Sequence, residues 1–208
     1  MSRNNHQNHS LYTPQGQRKY ISQDERQRFL AAARQLVRQE LMTFCTILAY
    51  TGCRISEALE LTSASVQPTN AVVAIRCLKK RGGRTIIREV PLPQYVITSL
   101  TDVHKLHSAD CPPRLWHYSR SGAWRLVKRV MKSAGIRPGP HATPKGLRHG
   151  FGIHAICSGV PLTLIQKWLG HSKLSTTTIY LQAVGTEERL SASRMWKPPT
   201  NDVISTGT

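Results

Sequence analysis

Apolar residues recur at helical spacing along the early part of the chain and predict three consecutive helices. Residues 22–25, Ser-Gln-Asp-Glu, form a capping box that opens a helix whose apolar stripe extends to Val37. A more apolar stretch at about 40–50 predicts a buried helix that stops at Gly52, because glycine favours the left-handed conformation that ends helices. A short third helix is expected at 55–61.

The pattern then changes to the alternation of a β-hairpin. Residues 72–78 and 85–90 are rich in β-branched side chains, and the basic stretch Lys-Lys-Arg-Gly-Gly at 79–83 supplies a turn between them. Pro91 and Pro93 end the second strand, because proline cannot donate a backbone hydrogen bond to a sheet.

Helical periodicity returns after the hairpin. The predicted helices cover residues 94–106, 121–133, 144–158, 161–170, 176–181 and 187–195. Thr143-Pro144 is typical of a helix start, with a capping threonine before a proline in the first turn. The expected fold class is therefore mainly α with a small antiparallel β-hairpin sheet, an α+β arrangement. We expect one domain at 20–196, between disordered polar tails at 1–19 and 197–208.

The charge of the chain indicates an anionic partner. Lysine and arginine number 29 against 11 acidic residues, which gives a formal net charge of +18 and an isoelectric point of about 10.4. Nucleic acid is the first candidate, although ribosomal proteins and proteins of anionic membrane surfaces share such a charge. The 39% hydrophobic content and the periodic segments indicate a folded core rather than a basic tail.

The chain shows no sign of a membrane span or of disulfides. The most apolar run, at 41–50, is too short to cross a bilayer. Five scattered cysteines without a Cys-x-x-Cys pair are typical of reduced thiols. We therefore expect a cytoplasmic protein that does not contact membranes.

Four side chains suit chemistry on a phosphodiester. The guanidiniums of Arg54 and Arg148 can each bind phosphate oxygens bidentately, and the imidazole of His171 can exchange protons or hydrogen bonds. The phenol of Tyr180 can attack phosphorus and form a covalent phosphotyrosine. No carboxylate cluster accompanies them, so we expect neither a metal nor a cofactor.

The surrounding motifs resemble the catalytic domain of the tyrosine recombinases, the phage integrase family. The matching stretches are Thr-Gly-Cys-Arg-Ile-Ser-Glu-Ala-Leu at 51–59, Thr-Pro-Lys-Gly-Leu-Arg-His at 143–149, Leu-Gly-His-Ser at 169–172 and Ser-Thr-Thr-Thr-Ile-Tyr at 175–180. Each is weak alone, but four in the family's order, over about 20–190, are specific.

The resemblance implies a role for each phosphate-binding residue. Arg54 and Arg148 would hold the scissile phosphate and stabilise the charge of the transition state. Glu57 would orient Arg54, and His171 would donate a hydrogen bond to a non-bridging phosphate oxygen. From the sequence, an unpaired Arg148 on a largely internal helix would be costly, and a bound phosphate would relieve that cost.

The resemblance also implies the residues that move protons. Tyr180 would be the nucleophile, in a cage of cations that favours its ionised form. Lys79 or Lys80 would be the general acid that protonates the departing 5′-hydroxyl. Lys145, also a catalytic candidate, stands where the family usually has histidine, and it would act either as a base or as a further phosphate contact. The group that deprotonates Tyr180 therefore stays open, and His149 is interpreted as a structural, orienting histidine.

Two further patterns have competing interpretations. Basic residues at helical spacing and at the hairpin tip predict either a solvated face or contacts to the DNA backbone: Arg81, Arg125, Lys128, Arg129 and Lys132. The spacing of His104, His107 and Cys111 suits zinc, but it lacks a second ligand pair, so no metal site is predicted.

The implied function is a site-specific DNA recombinase or integrase that cuts and rejoins strands through a 3′-phosphotyrosyl intermediate. Its partner would be double-stranded DNA, bound by a homo-tetramer on paired sites and open to accessory DNA-bending proteins. A catalytically weak or inactive DNA-binding regulator derived from a recombinase is the alternative, and a topoisomerase-like relaxing enzyme is a more remote one. The hypothesis requires that both guanidiniums and an accessible phenol gather around one phosphorus.

Overall fold

The computed structural model describes residues 10–81, 84–108, 113–182, 189 and 192–193. Seven α-helices are assigned within these ranges: α1 Gln23–Arg34, α2 Gln39–Thr51, α3 Ile55–Ala58, α4 Gln94–His104, α5 Arg120–Ser133, α6 Pro144–Cys157 and α7 Leu162–Leu169. The strands are β1 Val66–Gln67, β2 Val72–Arg81 and β3 Arg84–Pro91, and short 3-10 helices cover Ser63–Ser65, Leu174–Thr176 and Thr178–Gln182. The predicted fold class is confirmed.

Helix α1 starts as its sequence predicts but ends earlier. The Ser22 hydroxyl accepts from the Glu25 amide at 3.3 Å, and the Glu25 carboxylate accepts from the Ser22 amide at 3.0 Å. Phe29 and Leu30 are buried on the large core, whereas Val37 lies beyond the helix and is 95% exposed. The prediction that the stripe reaches Val37 is therefore wrong, because the helix ends at Arg34.

Helix α2 is buried and ends at a glycine whose replacement would strain the backbone and displace its neighbours. Gly52 has φ of +59°, and a Cβ added there would lie 2.7 Å from the Phe151 ring and 2.9 Å from the Leu169 side chain. Only glycine combines this conformation with so close an approach to α6 and α7. The chain therefore leaves α2 pressed against both helices, immediately before Arg54.

The hairpin is confirmed, with longer strands than predicted. The sheet has the order β1-β2-β3 and is antiparallel, with Ile75 opposite Arg88 and Cys77 opposite Ile86. The pairing of β2 with β3 is irregular between Cys77 and Arg81 and resumes at Arg81 opposite Arg84, so β2 extends beyond residue 78. Lys79, Lys80 and Arg81 thus belong to a strand rather than to the turn, and the glycines at 82–83 lie outside the described residues.

Two apolar clusters form the interior of the described residues. The larger joins α1, α2, α4 and α5 to the sheet, and the smaller is built on α6 and α7 around Phe151, Ile165, Leu169 and Tyr180. Leu11, which lies in the predicted N-terminal tail, is fully buried in the smaller cluster.

Backbone hydrogen bonds within the segment at 10–19 fold it locally. The Thr13 amide donates to the Gln17 carbonyl and the Lys19 amide to the Leu11 carbonyl, each at 2.7 Å, so the chain closes on itself and presents Leu11 inward. This part of the predicted tail differs from expectation. The tail at 197–208 lies outside the described residues, as does the predicted helix at 187–195 apart from residues 189 and 192–193.

The remaining boundaries shift by a few residues. The stretch predicted as a helix at 55–61 is helical only over Ile55–Ala58, and the one at 176–181 consists of two 3-10 helices. None of the helices in the described ranges is both long enough and apolar enough to pass through a bilayer.

Candidate active site

Arg54 lies at the junction that Gly52 creates, at the N-terminus of α3. The Glu57 carboxylate closes this helix start, accepting from the Arg54 amide at 3.0 Å and from the Arg54 Nη1 at 2.8 Å. The Arg54 side chain is 39% exposed, so part of its guanidinium faces solvent and can meet a ligand.

Glu57 is bound by two arginines. Its side chain is 2% exposed, and its Oε2 also accepts from Arg88 Nη2 at 2.7 Å. Burial by itself would raise the pKa of the Glu57 carboxyl, but the charges and hydrogen bonds of Arg88 and Arg54 outweigh burial and lower that pKa. Glu57 is therefore ionised at neutral pH, and the structure places it where the sequence predicted an orienting residue.

Arg148 is buried in α6 and bound to the backbone of two other segments. Its Nη1 donates to the Gly52 carbonyl at 2.7 Å and its Nη2 to the Leu169 carbonyl at 2.6 Å. Burial, and secondly the charge of Arg54, lowers the Arg148 pKa to about 10, so the guanidinium stays charged at neutral pH. The sequence argument treated Arg148 as unpaired until a phosphate binds, but the Gly52 and Leu169 carbonyls already pair with it, so its burial by itself does not call for a phosphate.

His171 follows Gly170, the left-handed cap of α7. Its Nδ1 lies 3.0 Å from the hydroxyl of the fully buried Thr177. Burial, followed by the charges of Arg148 and Arg54, lowers the His171 pKa to about 3. The imidazole is therefore neutral at physiological pH. If Nδ1 accepts from Thr177, the Nε2–H is left to donate to a ligand.

Tyr180 is in the same neighbourhood but is packed in the interior. It is 1% exposed, and its ring stacks on His171 with centroids 6.3 Å apart and an interplanar angle of 18°. The ring lies directly on Gly152, where an added Cβ would fall 2.5 Å from the phenol Cζ. The phenolic oxygen is 3.4 Å from Nδ1 of His149.

The expectation of an accessible, readily ionised phenol is therefore wrong for this structure. Burial raises the Tyr180 pKa to about 12, and although Arg148 and Arg54 act to lower it, burial dominates. The cations are close enough to matter, as predicted, but they do not outweigh the loss of water. As described, the phenol cannot reach a phosphate.

The two remaining residues of the second motif lie at the start of α6. His149 contacts Tyr180, and burial, followed by the charges of Lys145 and Arg148, lowers the His149 pKa to about 3. Lys145 is exposed in the first turn of the helix. The structure thus brings the uncommon lysine close to the histidine that contacts the phenol.

The open part of the site is a cleft of about 490 Å³ between the hairpin and the end of α7. Arg54 and His171 line it, whereas Arg148 and Tyr180 lie behind them. Lys79 and Lys80 occupy β2, which also supplies Cys77 to the cleft, but their side chains lie outside the described residues. The choice between them as general acid stays a prediction.

Sequence reasoning missed Arg88 and Thr177. Arg88 is a buried charge on a strand, two residues before the buried Val90 and so on the same face. A charged residue at an inward-facing position was the signal that could have identified it. Thr177 carried no signal of its own in a run of three threonines.

The predicted DNA-contact residues on α5 divide into two groups. Arg125, Arg129 and Lys132 are exposed. Lys128 instead donates to the Ala142 carbonyl at 2.6 Å and lies over the Trp124 ring. Arg81, like the catalytic lysine candidates, is placed by its backbone alone.

The histidine and cysteine spacing does not form a metal cluster in the part of the chain described. His104 is buried with Nε2 3.0 Å from the Thr43 hydroxyl, and Cys111 lies outside the described residues. Within the described ranges, no group of three potential metal ligands comes together.

The sequence of this chain is similar to those of known proteins. The profile of the phage integrase family matches residues 19–186. Tyrosine recombinase XerA of Pyrococcus furiosus is 32% identical over 138 residues, 64% of this chain and 47% of that protein.

Two solved structures are also similar. The crystal structure of XerA recombinase superposes with a TM-score of 0.72 and 25% identity over 86% of this chain and 65% of that one. The Tn1549 transposon integrase in complex with transposon right end DNA gives 0.59 at 22% identity, over 85% and 65%, which is a likeness of fold. This chain spans about half the length of the curated XerA protein. With the family profile matched over most of its length, the chain belongs to the phage integrase family.

Proposed function

We propose that this chain cuts and rejoins DNA as the catalytic region of a site-specific tyrosine recombinase. The observation that carries the proposal is the meeting of Arg54, Arg148, His171 and Tyr180, which come from four separate segments, beside one cleft. The net charge of +18 supports DNA as the substrate, as does the fold shared with an integrase solved on transposon DNA.

In the proposed reaction, a phosphodiester enters the cleft and meets charges already in place. The exposed part of the Arg54 guanidinium binds non-bridging oxygens, and His171 donates through Nε2. Arg148 adds positive charge from behind, and any direct contact it makes requires exchange of a carbonyl for a phosphate oxygen. Fixed donors of this kind stabilise the charge that develops on a pentavalent phosphorus.

The covalent step exchanges one phosphate ester for another. Once released from its pocket, the Tyr180 oxygen gives its proton to water and bonds to phosphorus, while the bond to the 5′-oxygen breaks and that oxygen takes a proton from Lys79 or Lys80. The 3′-phosphotyrosyl link keeps the bond energy, so the 5′-hydroxyl of a partner strand can reverse the reaction. No metal or nucleotide enters this scheme.

This mechanism requires Tyr180 to leave its buried position. The ring belongs to the short 3-10 helix Thr178–Gln182, whose Tyr180 amide donates to Thr177 at 3.1 Å, and the next residue, Leu181, is 61% exposed. A short segment with few such bonds can reorganise at modest cost. Release into water would also return the phenol from its raised pKa towards about 10.

The proposed assembly is a homo-tetramer on two DNA sites, because each protomer holds one nucleophile and recombination exchanges four strands. Accessory DNA-bending proteins fit the same scheme. The exposed side chains of Arg125, Arg129 and Lys132 are proposed to contact DNA phosphates, and such contacts weaken as salt concentration rises.

Covalent adduct formation tests the proposal. A target duplex is first selected from a random library by the Tyr180→Phe protein, and a nicked suicide version is then offered to wild-type protein. We expect wild-type protein to form a covalent protein–DNA adduct, and Tyr180→Phe to bind the duplex without forming it. Tyr95→Phe, which changes an exposed tyrosine on α4, is the matched control and should react normally.

The rival function is that of a DNA-binding regulator without cutting activity. The burial of Tyr180 favours it, because the described structure holds the nucleophile away from solvent. Selective binding by wild-type protein without any adduct would establish the rival. An adduct in the Tyr180→Phe protein would disprove the assignment of the nucleophile.

A further inference from the structure

Arg88 is an arginine buried inside the site that the mechanism above does not use. It lies on β3 with its side chain 2% exposed. A buried guanidinium is tolerated only when its donors are paired, so its contacts indicate what it holds in place.

Those contacts join three separate elements. Nη2 donates to Glu57 Oε2 at 2.7 Å, Nε to the Trp168 carbonyl at 2.6 Å, and Nη1 to the Cys77 sulfur at 3.0 Å. Arg88 therefore links α3, the end of α7 and the neighbouring strand β2. Each of its three nitrogens donates to a protein partner, and its side chain, which borders the cleft, is only 2% exposed.

The contact with Trp168 completes the C-terminus of α7. A helix leaves its last four carbonyls without partners inside the helix. Here the Gln166 and Lys167 carbonyls accept from the amides of His171 and Gly170, each at 3.0 Å. The last two accept from arginines: Trp168 from Arg88 and Leu169 from Arg148.

The same helix end determines where His171 lies. Gly170 and His171 follow directly after the two carbonyls that the arginines bind. A Cβ added at Gly170 would approach the Cys77 sulfur at 2.9 Å and Arg88 Nη1 at 3.1 Å, so the turn into His171 rests against Arg88. Removing the guanidinium would free this turn to shift.

The contact with Glu57 extends the effect to Arg54. The Glu57 carboxylate accepts a hydrogen bond from Arg54 at Oε1 and one from Arg88 at Oε2. Without Arg88, the buried carboxylate would keep only its two contacts with Arg54, at the amide and at Nη1, and the pair would lose its link to the sheet that holds its direction. In metal sites, removing the outer partner that orients a ligand typically costs about 10- to 100-fold in affinity or activity, and we take the same scale for a partner that orients an arginine.

We propose that Arg88 is a positioning residue for DNA cleavage, holding Arg54 through Glu57 and His171 through the end of α7. This inference rests on the proposed function. Because Arg88 also binds β2, it ties the strand that carries Lys79 and Lys80 to both phosphate-binding side chains.

The test compares binding with single-turnover cleavage on the nicked suicide duplex. Arg88→Met keeps an apolar stem without the donors, and Arg88→Lys keeps the charge but cannot reach all three partners. We expect the maximal cleavage rate to fall roughly 10- to 100-fold in both variants, while the dissociation constant for the duplex changes less than about 3-fold. Arg76→Met, on the exposed face of β2, is the control and should cleave normally.

A second substrate separates positioning from proton transfer. A duplex with a bridging 5′-sulfur releases a thiolate that needs no general acid. It should rescue loss of the lysine general acid but should not rescue either Arg88 variant. Combining Arg88→Met with Glu57→Gln should slow cleavage by less than the product of the two single effects, because both changes remove the contact between Arg88 and Glu57.

The outcomes distinguish this role from the proposed function. If wild-type protein forms an adduct and a folded Arg88 variant cleaves at the wild-type rate, the positioning role is overturned alone. Equal losses in binding and in cleavage, or full rescue by the sulfur substrate, would also overturn it. An inactive wild-type protein would overturn the proposed function and this role together. If Arg88→Met shows no cooperative melting transition and so has not folded, the same measurements on Arg88→Lys and Glu57→Gln decide the question.

Discussion

The candidate site has two halves that differ in how far they are arranged for reaction. The prepared half consists of Arg54, Arg148 and His171, and the other half holds Tyr180. Arg54 and His171 line an open cleft, each fixed by a hydrogen bond to a buried partner. Tyr180 is instead enclosed between His171 and Gly152, with its pKa raised to about 12. On the proposed function, phosphate binding is organised in advance and the nucleophile is held back, so binding and cutting should respond differently to mutation.

The largest expected effect is on the prepared half, through Arg148. Arg148→Ala removes a charge behind the phosphate and leaves the Gly52 and Leu169 carbonyls without their donor. We expect adduct formation to fall roughly 100- to 1000-fold, and the free energy of unfolding to fall by about 3 kcal/mol. Single-turnover cleavage and urea unfolding measure the two effects.

A lysine at the same position sharpens this result. Arg148→Lys keeps a positive charge but cannot donate to both carbonyls at once, so it should recover part of the stability and little of the cleavage. Full recovery of both would mean that charge alone suffices and that the fixed geometry of the prepared half is unimportant.

A smaller effect is expected in the half that holds the nucleophile. Gly152→Ala places a methyl group 2.5 to 2.7 Å from atoms of the Tyr180 ring, so the ring must move out of its position. We expect a loss of about 1–3 kcal/mol in the free energy of unfolding. The Tyr180 pKa should fall from about 12 towards about 10 as water reaches the phenol.

Tyrosinate absorbance, recorded against pH with Tyr180→Phe to assign the signal, measures this shift. Gly122→Ala, in the first turn of α5, is the control because its added Cβ would meet only the Ser119 hydroxyl, at 3.1 Å. If DNA binding persists in Gly152→Ala and cleavage is not lost, the buried position is a resting place. Loss of cleavage with binding retained would mean that catalysis depends on the packing of Tyr180 against Gly152.

The sequence was sufficient for Arg54 and His171 because both lie in short motifs at element ends. Gly52 marks the end of α2, so the position of Arg54 at a junction could be predicted from neighbouring residues. The same holds for His171, which follows the glycine cap of α7. Local chemistry decides such positions, and local chemistry is visible in the sequence.

The burial of Tyr180 and the contacts of Arg88 could not be predicted in this way. The pocket of Tyr180 exists because Gly152 on α6 lets the ring approach the helix, and Arg88 meets Glu57 only through the register of β2 and β3. Both depend on packing between distant segments. Proximity to cations suggested a lowered phenol pKa, but the loss of water that reverses it is a property of the folded interior.

The pH dependence of unfolding tests Glu57, the carboxylate that orients Arg54 in the prepared half. Glu57 has a lowered pKa in the folded protein, so the folded state binds fewer protons than the unfolded state as the pH falls below about 4.5. Its stabilising contribution is complete above that pH and is lost as the pH falls through the folded-state pKa. Glu57→Gln should therefore unfold with a shallower dependence on pH below about 4.5, measured by urea unfolding at several pH values. An unchanged slope would mean that Glu57 is not held as an ion by Arg54 and Arg88.

The smallest expected effect on the free energy of unfolding concerns the phenol oxygen itself. Its contact with Nδ1 of His149 is long, at 3.4 Å, and its ring provides most of the packing on Gly152 and His171. Tyr180→Phe keeps the ring, so the free energy of unfolding should change by less than about 1 kcal/mol although cleavage is abolished. Thermal or urea unfolding of the two proteins checks this. A much larger loss of stability would mean that the hydroxyl, rather than the ring, holds the nucleophile in its buried position, and release for catalysis would then have to begin by breaking the contact with His149.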